Sequence, residues 1–248
     1  MKIIKDICYN DKDQLLDLLL PENDVSAVLV FFHGGGIVEG CKEWNRVPFE
    51  YLTSKNIAVA SANYRMYPEA KFPDFIEDAS DAVAWVFNNI KNYCNCDKIF
   101  VGGSSAGGYI SMMLCFDKKY LAKNGLKPID IQGYVHNAGQ PTAHFNVLKE
   151  RGYDSRRLIV DETAPLYFIG ADGNDSSSMI FLVSDNDMEN RFEQTMLTLS
   201  TLKHFKYDDN KIFSKVLHGG HCEHDDAVDE NGVSVFGQII EKFIKDHI

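Results

Sequence analysis

No stretch of this chain is apolar for long enough to cross a membrane, and charges interrupt every apolar run near its start. The opening segment, MKIIKDICYNDKDQLLDLLLPEND, holds no secretory-signal core, and its LLDLLL patch is far too short for a span. Cysteines are few: Cys8, Cys41, Cys94, Cys96, Cys115 and Cys222, with no C-x-x-C pair among them. A chain of 248 residues does not need a disulfide scaffold, so free thiols in a reducing cytoplasm are the expectation. Positive charge is also short, with 25 Lys and Arg against 36 Asp and Glu and a formal net charge of −11. That balance disfavours nucleic acid and anionic membrane as partners and is read as solubility. Internal repeats and low-complexity linkers are missing too. What remains, 45% hydrophobic and 25% charged, suits one substantial core and a single domain over residues 1–248.

Apolar β-branched runs alternate with helical patterns, which signals an α/β fold with a mainly parallel sheet. SAVLVFF (26–32), NIAVASANY (56–64), KIFVGG (98–103), IQGYVHN (131–137), SMIFLVS (178–184) and KIFSKVL (211–217) read as strands. The segments 72–90, 106–116, 190–205 and 235–248 read as helices. Residues 138–178 are irregular and rich in Gly, Asp and Ser. They lie between two strands, so they are expected to form a small cap insertion over a site, the alternative being a functionless surface excursion.

FVGGSSAGGY (100–109) carries two adjacent serines among four glycines. Gly103-Ser104-Ser105-Ala106-Gly107 fits G-x-S-x-G with Ser105 at the centre. Centring on Ser104 fails, because Ala106 would occupy the second glycine position. The pattern sits between a strand and a helix, where a nucleophile on a sharp turn crowds its neighbours and needs small residues two positions away. The following helix points its N-terminus at the serine, which favours developing negative charge. A merely tight or phosphate-binding turn is the bland alternative. His33-Gly34-Gly35-Gly36 directly follows the early strand, and glycine-rich backbone there can supply N–H donors to an oxyanion. The N–H of Ala106 would be a further donor. His33 itself is read as structural, orienting the loop.

A nucleophilic serine needs a base, and the base an orienting acid. LVSDNDMEN places Asp185 and Asp187 after one strand; VLHGGHCEHDD places His218, His221 and His224 after the next. The order Ser…Asp…His is the one such a sheet requires. His221 is the candidate base, because Gly219-Gly220 carries the chain off the strand end into a loop. His218, nearer the strand, is read as a loop anchor. His218, His221, Cys222 and His224 could also be read as metal ligands, but no paired ligand set appears elsewhere, so no metal is expected. Either aspartate could reach the histidine.

HGGG, GGSSAGG and the intervening NYRMYPEAKFPDFIEDASDAVAWV (63–86) together resemble the α/β-hydrolase superfamily, in particular the hormone-sensitive-lipase-like esterases. The resemblance runs from about residue 26 to the end and is weakest over 138–178. It implies an α/β-hydrolase fold and oxyanion donors at Gly35, Gly36 and Ala106. It also implies that the acid is Asp187, which lies a few residues past the strand and just before a helix, while Asp185 braces the loop. Arg65 and Asp78 resemble a structural ion pair, and Trp44 is a candidate pocket wall. Ser104 stands where many members carry Asp. The SDND and HGGHC segments resemble the small acetyl-esterase and feruloyl-esterase-like branch, and a long N-terminal helical cap is absent.

The resemblance therefore implies a serine carboxylesterase acting on short acyl esters of small molecules or oligosaccharides, acetyl groups on carbohydrate among them, without cofactor. A lipase, a peptidase on the same fold, and a non-catalytic binding protein are the alternatives. Oligomeric state is not readable from the sequence.

Overall fold

KIFSKVL (211–217) is mixed and its strand is largely exposed, but most of the strands read from the sequence are rich in apolar residues, which demands cover on both faces of the sheet. The computed structural model, which describes residues 1–12 and 14–248, provides it. Eight strands form one sheet: β1 (Lys2–Cys8), β2 (Leu15–Leu20), β3 (Ala27–Phe32), β4 (Ile57–Ala62), β5 (Ile99–Ser104), β6 (Gly133–Asn137), β7 (Ser178–Ser184) and β8 (Ile212–Leu217). Their spatial order is β1-β2-β4-β3-β5-β6-β7-β8. From β4 to β8 every pairing is parallel; β1 and β2 join antiparallel at one edge. The helices are α1 (Arg46–Ser54), α2 (Asp74–Asn89), α3 (Ala106–Phe116), α4 (Lys119–Ala122), α5 (Phe145–Glu150), α6 (Pro165–Phe168), α7 (Arg191–His204) and α8 (Val235–Lys245).

The period-2 geometry of a strand splits each apolar run between two cores. In β3, Val28, Val30 and Phe32 join the cluster containing Phe75 and Ile76 of α2 and Ile110 of α3. Ala27, Leu29 and Phe31 join the cluster containing Phe49 of α1 and Phe236, Ile240 and Phe243 of α8. A Leu or Phe buried this fully contributes roughly 1.5–3 kcal/mol. Helix α8 closes the chain with a one-sided apolar stripe, and the Ser234 hydroxyl caps its start by accepting from the Gly237 N–H at 3.0 Å. Behind the sheet end, Arg65 grips the fully buried Asp78 through Nε at 2.8 Å and Nη2 at 2.9 Å, the ion pair expected there.

Two sequence expectations change. LLDLLL is not an unassigned patch but β2, buried from Leu16 to Leu20. Residues 138–178 are not wholly irregular, since they contain the short helices α5 and α6. Both helices are too short to show a 3.6-residue period. The parallel strands β3, β5, β6, β7 and β8 all end on the same side of the sheet, and the loops leaving them carry every candidate site residue.

Candidate active site

The turn from β5 into α3 works because two side chains are missing. A Cβ on Gly103 would lie 2.4 Å from the backbone of Gly107, and a Cβ on Gly107 would lie 1.9 Å from the carbonyl oxygen of Phe32 on the neighbouring strand. With glycine at both places, α3 approaches the sheet closely and Ser105 sits at the apex, at φ 54° and ψ −110°. That conformation is strained for a residue with a Cβ. It is held from outside: the Ser105 N–H donates to the Asn137 carbonyl at the end of β6, at 2.8 Å.

Ser105 Oγ lies 2.7 Å from Nε2 of His221, and Nδ1 of His221 lies 2.5 Å from Oδ1 of Asp187. The Asp187 side chain is fully buried and His221 is partly exposed. Burial pushes the Asp187 carboxyl up, but the hydrogen bond and charge of His221 outweigh it. With the N–H groups of Met188 at 2.7 Å and Ser184 at 3.3 Å they hold the carboxyl below its usual range. An ionised acid therefore fixes the Nδ1–H tautomer and leaves Nε2 to accept from the serine hydroxyl.

The other candidates go elsewhere. Asp185 receives His218 Nδ1 at 2.9 Å and the Gly219 N–H at 3.0 Å, in solvent, and so braces the loop. His224 is buried; its Nε2–H donates to Asn137 Oδ1 at 2.8 Å, and burial pushes its pKa down to about 4. Cys222 lies beside His221, its Sγ 3.8 Å from Nε2. The three histidines thus point in three directions, and among the described residues no group of three or more His, Cys, Asp or Glu is arranged to hold a metal.

On the opposite wall, Gly35 adopts φ +95°, and its carbonyl accepts from the N–H groups of Val38 and Glu39 at 3.0 and 3.1 Å. A Cβ there would collide with Glu39 O at 2.0 Å. Turning that carbonyl away from the cleft orients the Gly36 N–H of the same peptide group. Among the described residues neither the Gly35 nor the Gly36 N–H meets a backbone acceptor. Ala106 is the first residue of α3, so its N–H has no partner in the helix ladder. His33 is buried, stacked on Tyr64 at 4.4 Å, with Nδ1 2.8 Å from the Gly34 carbonyl oxygen; burial pushes its pKa down to about 4. It is a neutral prop under the loop.

Asn146, on α5, was not found from the sequence. Its Nδ2 donates to the Gly36 carbonyl at 2.6 Å, and its neighbour Phe145 packs against Gly36. Its partner is 110 residues away, so no local pattern announces it. These groups open onto a cleft of about 650 Å³ lined by Gly34, Gly35, Trp44, Asn45, Ser105 and His221, among others. Trp44 is half exposed there. Ser104 also borders the cleft but is buried, with its Oγ accepting from Asn137 Nδ2 at 2.9 Å. Carboxylates predominate at the rim: Glu39, Glu43 and Asp226, against Arg46.

A profile of the alpha/beta hydrolase fold family matches residues 29–220, ending one residue before His221. An isoprenylcysteine alpha-carbonyl methylesterase of Arabidopsis thaliana is 33% identical over 162 residues, covering 64% of this chain and 36% of its own. The chain thus spans about a third of that relative's length. Among solved structures, esterase B of Lactobacillus rhamnosus HN001 superposes with a TM-score of 0.78 at 16% identity, over 99% of this chain and 86% of its own. A propionate-bound thermophilic esterase, Est2 of Thermogutta terrifontis, superposes with a TM-score of 0.75 at 17% identity, over 99% and 93%. At such identity the two structures speak for the fold alone.

Proposed function

The chain belongs to the alpha/beta hydrolase fold family, and from that premise we propose that it is a serine carboxylesterase that hydrolyses short acyl esters through an acyl-enzyme. The observation that carries the reading is the unbroken hydrogen-bond chain Asp187–His221–Ser105, opening onto the cleft. Ser105 Oγ attacks the ester carbonyl carbon as its proton passes to His221 Nε2. The imidazolium is stabilised by Asp187, which stays ionised. The carbonyl oxygen becomes an oxyanion beside the N–H groups of Gly35, Gly36 and Ala106. Collapse of the tetrahedral intermediate expels the alkoxide, which takes the proton from His221 and leaves as alcohol. Water then repeats the sequence on the acyl-enzyme, giving the carboxylic acid and restoring Ser105.

Residues 138–178 are assigned as a small cap within the single domain. They contribute Asn146 and Phe145 to the wall behind Gly36. The open, polar-rimmed cleft with its exposed Trp44 suits a small ester, including an acetylated sugar, better than a long acyl chain. The six unpaired thiols suit a reducing compartment such as the cytoplasm.

The test is a panel of p-nitrophenyl esters from acetate to laurate, acetylated xylo-oligosaccharides, and an aryl amide. Acetate and butyrate are expected to give the highest kcat/KM and the amide negligible turnover. A laurate preference would overturn the short-acyl assignment, faster amide cleavage would make the protein a peptidase, and no turnover at all would make it a binding protein.

A further inference from the structure

The cleft wall contains a carboxylate that the proposed reaction does not use. Asp225 follows His221 by four residues, in a turn closed by its own N–H to the Cys222 carbonyl at 3.0 Å. The residue is buried, and the one basic side chain within ion-pair distance among the described residues is His224, whose Nε2 lies 3.5 Å from Oδ1 and which burial keeps neutral. It gathers neutral amide donors from two other segments. Asn137 Nδ2 at the end of β6 donates to Oδ1 at 2.7 Å, and Asn45 Nδ2 in the loop before α1 donates to Oδ2 at 3.2 Å. The Ser104 hydroxyl, adjacent to the nucleophile, faces the same carboxylate and favours its charged form.

The donors are themselves engaged with the reacting groups. Asn137 spends its second Nδ2 hydrogen on Ser104 Oγ, accepts from His224 Nε2 at its own Oδ1, and holds the Ser105 N–H with its backbone carbonyl. Ser104, Asn137 and Asp225 are therefore joined, through the two hydrogens of the Asn137 amide, into a triangle under the strained turn. Asn45 extends the triangle to the loop that presents Trp44. Burial pushes the Asp225 carboxyl up to about 6, and the hydrogen bonds from Ser104, Asn137 and Asn45 oppose that rise. A buried carboxylate that receives several donors is costly to place and costly to break. Packing alone would be served as well by an apolar side chain.

We infer that Asp225 is a positioning residue, whose carboxylate is the shared acceptor locking the serine turn, the histidine loop and the Trp44 loop in mutual register. It touches no reacting atom; it acts through Ser104, Asn137 and Asn45. The inference rests on Ser105 being the nucleophile.

The test compares wild type, Asp225→Asn, Asn45→Ala, and the exchange of Asp225→Asn combined with Asn137→Asp. The isosteric Asp225→Asn sets an amide donor against two amide donors. The exchange returns a carboxylate to the triangle with every donor again facing an acceptor. Measured are kcat and KM on p-nitrophenyl acetate, the second-order rate of Ser105 phosphonylation by a small p-nitrophenyl phosphonate, and Tm. Displacing a nucleophile by a fraction of an ångström costs on the order of tenfold to a hundredfold. Asp225→Asn is therefore expected to lower kcat and the phosphonylation rate by that same factor with KM within about threefold. Asn45→Ala should lose about threefold, and the exchange should recover at least half of the loss on a logarithmic scale. A folded Asp225→Asn protein with unchanged kcat and phosphonylation, or a loss confined to KM, overturns the inference. If Asp225→Asn does not fold, an exchange variant that folds but stays as slow as a hundredth of wild type overturns it, and near-wild-type turnover supports it. Wild type that is not phosphonylated at Ser105 would instead refute the proposed function.

Discussion

Two histidine–aspartate pairs stand side by side at the same end of the sheet. Asp185 and Asp187 leave β7; His218 and His221 leave β8; both pairs bond through the histidine Nδ1, across 33 and 34 residues of sequence. Residue chemistry does not separate them. Surroundings do: the His218 and Asp185 side chains are 96% and 46% exposed, those of His221 and Asp187 are 23% and 0% exposed. Water screens the first pair, so its attraction is weak. The second pair has lost that screening and faces Ser105 with its remaining ring nitrogen. The Asp185–His218 bond raises the pKa of His218 and lowers that of Asp185, so any stabilisation it gives is present between the two, fading as pH rises through the raised His218 value and again as pH falls through the lowered Asp185 value. The difference teaches that an aspartate makes a histidine a base only where burial fixes the tautomer and a proton donor lies within reach.

The largest expected effect removes the group that distinguishes the pairs. Ser105→Ala should cut ester turnover by about a millionfold while both His–Asp pairs and the fold persist, as read by initial rates and circular dichroism. Next comes the buried acid: Asp187→Asn should cost about ten-thousandfold in kcat, because an amide can hold the ring in the wrong tautomer. An active, well-folded Asp187→Asn protein alongside a dead Asp185→Asn would invert the comparison. Asn146→Ala touches neither pair and removes only the anchor on the Gly36 carbonyl. Its kcat should fall by about tenfold with little change in KM, less than the loss of a direct oxyanion donor. The smallest effect belongs to the exposed pair. His218→Ala and Asp185→Asn should each stay within about tenfold of wild-type kcat/KM, since solvent screens an exposed pair. Their kcat–pH profiles should overlie that of wild type.

How legible all this was depended on whether the requirement was local. The glycines at 103 and 35 answer backbone constraints within a few residues, and Gly107, though its constraint is the distant Phe32 carbonyl, completes a spacing read within the turn, so the serine turn and the glycine loop could be read directly. Strands β3 to β7 announced themselves through runs buried between two cores, and β8 through its β-branched and aromatic residues although its middle is exposed. β2 did not, because Asp17 interrupts its leucines; only the fold reveals that Asp17 is buried and paired with Lys42 at 2.8 Å, tying β2 to the loop that leads to Trp44. Choosing between Asp185 and Asp187 required a family resemblance, since two residues of spacing do not encode burial. Asn146 and Asp225 were invisible. Each is a polar residue whose meaning lies in an amide or carbonyl 110 or 88 positions away.

Helix α3 has one more consequence. All eleven of its residues are buried, so it has no wet face from which to fray. Its amide protons should exchange with solvent deuterium only when the whole molecule opens. The 219–223 loop, by contrast, is held by few backbone hydrogen bonds and is partly exposed along its length. The proposed nucleophile and the proposed base therefore ride on parts of the molecule with different protection from solvent. On warming, the loop lets go first, and activity is lost while the sheet and the serine helix remain intact, so the temperature of inactivation lies below the temperature of unfolding.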